Sequence, residues 1–112
     1  MDFSKVKIEI YVPQEYIESL RDELTKIGAC QIEKYDHVIS FSNVQGYWHP
    51  LIGSSPFNGE VGTINFGSEC KLEVRCPITK VKDAAATIKK IHPYEEPVIN
   101  IIPLINDMFE IE

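Results

Sequence analysis

Ile91-His92-Pro93-Tyr94-Glu95-Glu96-Pro97 joins a helical pattern to a run of strand-forming residues. Pro93 has no N–H to give and disfavours helical geometry at His92, so the helix behind it must stop there. Pro97 can only open a strand or lie at its edge. The side chains of His92, Tyr94, Glu95 and Glu96 are therefore held on a short, stiff corner. Such a corner is either a site or a well-made turn. As adjacent strand residues, Glu95 and Glu96 point to opposite faces and cannot both serve one substrate.

Working outward, Val81, Ala84, Ala85, Ile88 and Ile91 share one stripe and predict a helix from about Thr79 to His92. Val98 to Ile105 predicts a strand that is apolar on both faces, followed by an acidic, peripheral tail at 106–112. Upstream, Cys70, Leu72, Val74 and Cys76 alternate with Lys71, Glu73 and Arg75, the pattern of a half-buried strand. Val6, Ile8, Ile10 and Val12 alternate likewise with Lys5, Lys7, Glu9 and Tyr11. Pro13 suits the first turn of a helix whose stripe is Tyr16, Ile17, Leu20, Leu24 and Ile27, with Gly28 as its stop. A further strand runs through about Val38 to Val44.

The order strand, helix, strand, strand, helix, strand is the ferredoxin-like βαββαβ plan. It makes residues 1–112 one α+β domain, an antiparallel sheet with two helices on one face. On the other face positive and negative side chains interleave, which suits a docked second sheet or plain solvation. Between the middle strands, the arm at about 45–67 holds five of the six glycines together with Tyr47, Trp48, Phe57 and Phe66. A connection this long, and this aromatic, is a functional or packing element rather than a floppy linker.

Composition narrows the function. The net charge is −6, and no Lys or Arg occurs between Lys34 and Lys71. Nucleic acid and anionic membranes are therefore poor partners. No apolar run approaches the roughly 20 residues of a membrane span, and Met1-Asp2-Phe3-Ser4-Lys5 does not read as a secretory signal. Cys70 and Cys76 would stand about 20 Å apart on one strand, too far to bridge. With Cys30 they read as buried free thiols in a reducing cytoplasm.

The chemistry-bearing groups are sparse. His37, His49, His92, Glu95 and Glu96, with Asp36 and Glu60 nearby in sequence, are the metal-ligand candidates, and a divalent ion is the cofactor they would hold. No pair has helical i, i+4 spacing, so tertiary folding must assemble any such site. Each histidine read alone is first a hydrogen-bonded structural group. Gly53-Ser54-Ser55 offers a weak anion nest without the lysine of a phosphate loop. The cysteines, buried or behind a helix end, make poor nucleophiles. Tyr94 also has a structural use, its ring packed under the sheet end and its hydroxyl on a backbone carbonyl.

Taken together, Tyr35-Asp36-His37, then Gly46, Pro50, Leu51 and Gly53, then Pro56-Phe57-Asn58-Gly59-Glu60-Val61-Gly62, then the 92–97 corner, resemble a known family. This is the small domain inserted in Nif-three-like dinuclear-metal proteins, often labelled GTP cyclohydrolase type-two-like. The likeness spans about Lys5 to Leu104. Many relatives have Cys where Val38 stands here. The corner is also similar to the strand start of CutA, whose fold is shared by PII-like proteins. The resemblance implies that the family's metal centre lies in flanking halves that this sequence lacks, so neither its ligands nor a hydrolase activity transfers. It also implies a trimer with inter-subunit clefts. Tyr35, Asp36, His37, His49, Glu60, His92, Tyr94 and Glu95 or Glu96 would line such a cleft. The expected function is a non-enzymatic, oligomeric module sensing a divalent metal or small metabolite. The alternatives are a pure interaction domain pairing with a separate enzyme, and a hydrolase of nucleotides or phosphoesters.

Overall fold

A computed structural model describes residues 3–112; Met1 and Asp2, part of the segment read above for a secretory signal, lie outside the described residues. Strand β1 (Lys5–Val12) leads through a short 3-10 turn into helix α1 (Ile17–Lys26). Strands β2 (Ser40–Trp48) and β3 (Asn65–Pro77) form a long hairpin, α2 (Val81–Ile91) follows, and β4 (Ile99–Leu104) closes the sheet. The strand order is β2-β3-β1-β4 with every neighbour antiparallel, the ferredoxin-like arrangement.

The two central strands owe their position to their alternation. Their register sets Val6 opposite Cys76, Ile8 opposite Val74, Ile10 opposite Leu72 and Val12 opposite Cys70, and all eight are buried. Ile17, Leu20 and Leu24 of α1 and Ala84 and Ile88 of α2 cover that same face and complete one core. Burying each large aliphatic side chain contributes about 1.5–3 kcal/mol. The opposite face carries a ladder of charges: Lys7 lies 3.2 Å from Glu73, and Lys71 lies 3.8 Å from Glu9. Like charges directly opposed at Glu9 and Glu73 are tolerated because both lysines sit between them.

Three local expectations are corrected. The second strand does not end near Val44 but runs to Trp48, so both ends of the arm are paired strand. Gly46 and Gly67 face each other there, and the cost of glycine in a strand is offset by what surrounds them. Tyr47 and Phe66 pair across the hairpin with ring centres 4.9 Å apart. A Cβ at Gly67 would lie 3.2 Å from the Trp48 ring, so the missing side chain makes room for the indole. The hairpin projects beyond the helices and stretches the molecule to 49 × 25 × 23 Å.

The corner, too, differs. Residues 94–96 are a bend and β4 begins only at Ile99, so strand alternation does not govern Glu95 and Glu96. Pro97 stands before the strand rather than in it, which delays pairing. The tail is less peripheral than its charge suggests: Asn106–Phe109 is a 3-10 turn that returns Glu112 to Lys5 and Arg75. Among the described residues no helix is long and apolar enough to cross a membrane.

Candidate functional site

Folding brings the 92–97 corner against the arm and leaves a hollow of about 570 Å³ between them. His92, expected to line it, does not border the hollow but is buried next to Tyr94, which does. The ring Nε2 lies 2.6 Å from the Tyr11 carbonyl, and Nδ1 accepts the Tyr94 N–H at 3.2 Å. A carbonyl can only accept and an amide can only donate, so the imidazole is neutral with its proton on Nε2. Burial lowers its pKa, against the opposing pull of the Tyr11 hydrogen bond. Neither ring nitrogen keeps a free lone pair for a metal.

Tyr94 continues the chain of contacts. Its ring lies 4.6 Å from that of His92 and 5.9 Å from Phe57 of the arm, and its hydroxyl donates not to the expected backbone carbonyl but to the Glu69 carboxylate at 2.9 Å. Burial, then the bond to Glu69, raises the phenol's pKa well above its usual range. One residue on, Glu95 accepts the Ser55 N–H at 2.8 Å. Glu95 thus clamps the arm to the corner, and Glu96 lines the same hollow. The two carboxylates expected to diverge share one cavity because the bend, not a strand, carries them.

The arm is ordered by its own polar groups. The Trp48 Nε1–H donates to the Asn58 carbonyl at 3.1 Å. Asn65 donates to the Thr63 carbonyl at 2.9 Å, and Gly62 N–H reaches the Pro50 carbonyl at 2.8 Å. Gly59 has φ +93, and a Cβ there would come within 2.8 Å of Trp48 Nε1. The proposed anion nest is spent internally: Ser54 N–H bonds the Leu51 carbonyl and Ser55 N–H bonds Glu95.

His49, Tyr94, Glu95 and Glu96 border the hollow. Tyr35, Asp36 and His37 do not. Their loop hydrogen-bonds Arg75 through Cys30, at the Lys7 end of the sheet, whereas the corner meets β1 at Tyr11. His37 is occupied there by Asp36 at 2.8 Å and Asp22 at 3.7 Å. Glu60 is exposed on the arm and uses its backbone on Asn65. Among the described residues, no three His, Cys, Asp or Glu side chains are grouped to hold a metal ion. Glu69 and Asn65 are members of the site that sequence reasoning passed over, since nothing local distinguishes them from ordinary strand and loop residues, while Ser55, read only as part of an anion nest, instead holds Glu95. The three thiols are buried, and burial pushes Cys30 and Cys76 up to about 11 and raises Cys70. They are protonated and inert near neutral pH.

The fold is the α+β fold of CutA and of GlnK, a PII-like protein. The chain matches CutA from Archaeoglobus fulgidus with a TM-score of 0.67 at 19% identity, over 89% of this chain and 83% of that one. GlnK of Bacillus subtilis matches with a TM-score of 0.63 at 22% identity, over 90% and 85%. These likenesses establish the fold. No protein-family model matches the chain. In sequence it is 39% identical over 98 residues to the GTP cyclohydrolase 1 type 2 homolog of Bacillus subtilis strain 168, covering 88% of this chain and 26% of that protein. The crystal structure of a Bacillus cereus protein related to NIF3 matches with a TM-score of 0.78 at 25% identity, over 91% of this chain and 26% of that one. The chain is therefore a relative of one segment of these NIF3-related proteins, and it spans about a quarter of their length. The resemblance carried by the 35–37, 56–62 and 92–97 motifs is borne out.

Proposed function

We propose that this chain is a non-enzymatic binding or regulatory module of the cytoplasm, working as a homo-oligomer, a trimer for preference. It receives a small metabolite or a divalent metal ion between the arm and the 92–97 corner. The observation that carries this reading is the hollow of about 570 Å³, walled by ordered aromatics and carboxylates that the core does not need. Such a volume is within the range of small-ligand sites. The inert thiols and the engaged nitrogens of His92 weigh against catalysis by this chain. An oligomer would also give Tyr35, Asp36 and His37, stranded at the far end of their own sheet, a second copy's hollow to complete. Of the two ligand kinds, the scattered ligand set favours a metabolite over a metal bound within one protomer.

Calorimetry and thermal shift with Zn, Cu, Mn, Fe, nucleotides and small metabolites, together with native mass, test the proposal. Saturable heat with one of them, and a melting temperature that rises with its concentration, is the expected result. Absence of heat with all of them and an unchanged melting temperature overturn it.

A second reading, a pure assembly domain that pairs with a separate enzyme, is favoured by exposed apolar side chains. Ile52 at the arm tip is 96% exposed, and Ile64, Ile102 and Phe109 are also open to solvent. Under that reading His92→Ala or Glu96→Ala dissociates the oligomer and no ligand is found. Turnover of nucleotides or phosphoesters by the purified chain would displace both readings.

A further inference from the structure

We infer that the hollow selects a small organic cation, a metabolite carrying an ammonium or guanidinium group, over nucleotides and other anions. This rests on the binding-module reading and names the ligand's chemistry. The two segments that wall the cavity are unusual in charge. Residues 35–70 and 91–112 contain no Lys or Arg at all, although the chain has 11 of them. Glu69, Glu95 and Glu96 all border the hollow. An anion entering it would meet three carboxylates and no cationic side chain of these segments.

Backbone donors do not reverse this balance. The Ser55 N–H, the group best placed for an anion, already holds Glu95, and Ser54 N–H is turned to Leu51. Each of Glu69 and Glu95 is fixed through one oxygen, Oε1, by Tyr94 and Ser55 respectively. Their positions are therefore set before a ligand arrives, which lowers the cost of binding. Five aromatic side chains, Trp48, Phe57, Tyr94, Tyr47 and Phe66, line the hollow beside His49 and small polar and apolar residues. The negative faces of such rings attract ammonium and guanidinium groups, and carboxylates beside them supply charge-assisted hydrogen bonds. A bare divalent ion asks for something different, a converging set of three or more His, Cys, Asp or Glu ligands, which the described residues do not gather. Aromatic walls with separated carboxylates suit a cation whose charge is carried on a carbon skeleton.

Trp48 is the single tryptophan and lies in the wall, so its emission reports on the cavity. The full chain is titrated with agmatine, spermidine and choline at constant ionic strength, and in parallel with ATP, 2-oxoglutarate, Zn and Mn. The expected result is a saturable change in Trp48 emission with at least one organic cation. It should weaken about tenfold or more in Glu96→Gln and Glu95→Gln, each checked for unchanged melting. Saturation by ATP, 2-oxoglutarate or a metal ion while the organic cations leave the emission unchanged overturns the cation inference and leaves the binding module standing. A response to the cations that both glutamine variants retain in full also overturns it. If no probe saturates and the melting temperature never moves, the inference and the binding module fall together.

Discussion

His92 Nε2 lies 2.6 Å from the main-chain carbonyl of Tyr11, a residue 81 positions earlier, and so pins the end of α2 to the end of β1. The neutral ring donates there while accepting from Tyr94, and protonation would force Nδ1 to lose its amide partner. The folded-state pKa is depressed below the ordinary 6.5 by burial. The unfolded chain therefore binds the proton more readily. Stability is full above about 6.5, declines as pH falls through that value, and levels off below the folded pKa. Urea melts of wild type and His92→Gln between about pH 7.5 and 4.5 check this: the wild-type slope should flatten in the variant. His92→Ala should cost about 2–3 kcal/mol, since it leaves the Tyr11 carbonyl unpaired and opens a cavity. Equal pH slopes in both proteins would remove His92 as the cause.

The Tyr94–Glu69 bond should be measurable as a coupling. Tyr94→Phe and Glu69→Gln should each cost about 1 kcal/mol, and the double mutant less than the sum. Ultraviolet titration should show Tyr94 ionising well above the ordinary phenol range, a step that Tyr94→Phe removes. Because the folded pKa is raised, the stability it reflects is full below about 10 and lost as pH climbs toward the folded value. A titration curve of the folded protein that Tyr94→Phe leaves unchanged at its high-pH end would contradict the geometry.

Gly59→Ala should disturb the arm and spare the core. The added Cβ meets Trp48 Nε1 at 2.8 Å on a backbone with φ +93, a combination that costs about 1–3 kcal/mol. Hydrogen exchange should rise across 49–64 while amides of β1 and β3 keep their protection. Trp48 emission should shift to the red as the indole loses the Asn58 carbonyl. A uniform loss of protection would mean that the arm and core melt as one unit.

The cysteines should ignore alkylating reagents until the protein unfolds. Cys30 and Cys76, pushed to about 11, hold only about one thiolate per thousand at pH 8. Mass spectrometry after iodoacetamide should find all three unmodified in buffer and all three modified in denaturant. Fast native labelling of Cys70 would reveal opening of the β2 edge, where its thiol meets Asn43.

Much of the architecture was legible before folding, for a simple reason. Alternation in β1 and β3 and the stripes of α1 and α2 are properties of neighbouring residues, and Pro93 and Gly28 act on the backbone where they stand. The ferredoxin-like plan follows from those local signals once they are put in order. The limits of β2 were hidden because the stabilisation of Gly46 comes from across the hairpin, from the Tyr47–Phe66 pair and the space that Gly67 leaves for Trp48.

The candidate site was only half legible. His92, Tyr94, Glu95 and Glu96 stand out in sequence by their proximity, and the proline-framed corner shows that they are held still. That His92 spends both nitrogens on the backbone, that Tyr94 finds Glu69, and that Glu95 finds Ser55 depend on register between segments 25 to 81 residues apart. So does the separation of Tyr35, Asp36 and His37 from the corner, which places them at opposite ends of one sheet. Local chemistry determines which backbone each segment adopts. Which side chains meet is decided only when the strands pair, because one hydrogen-bond register then places every residue of both strands at once.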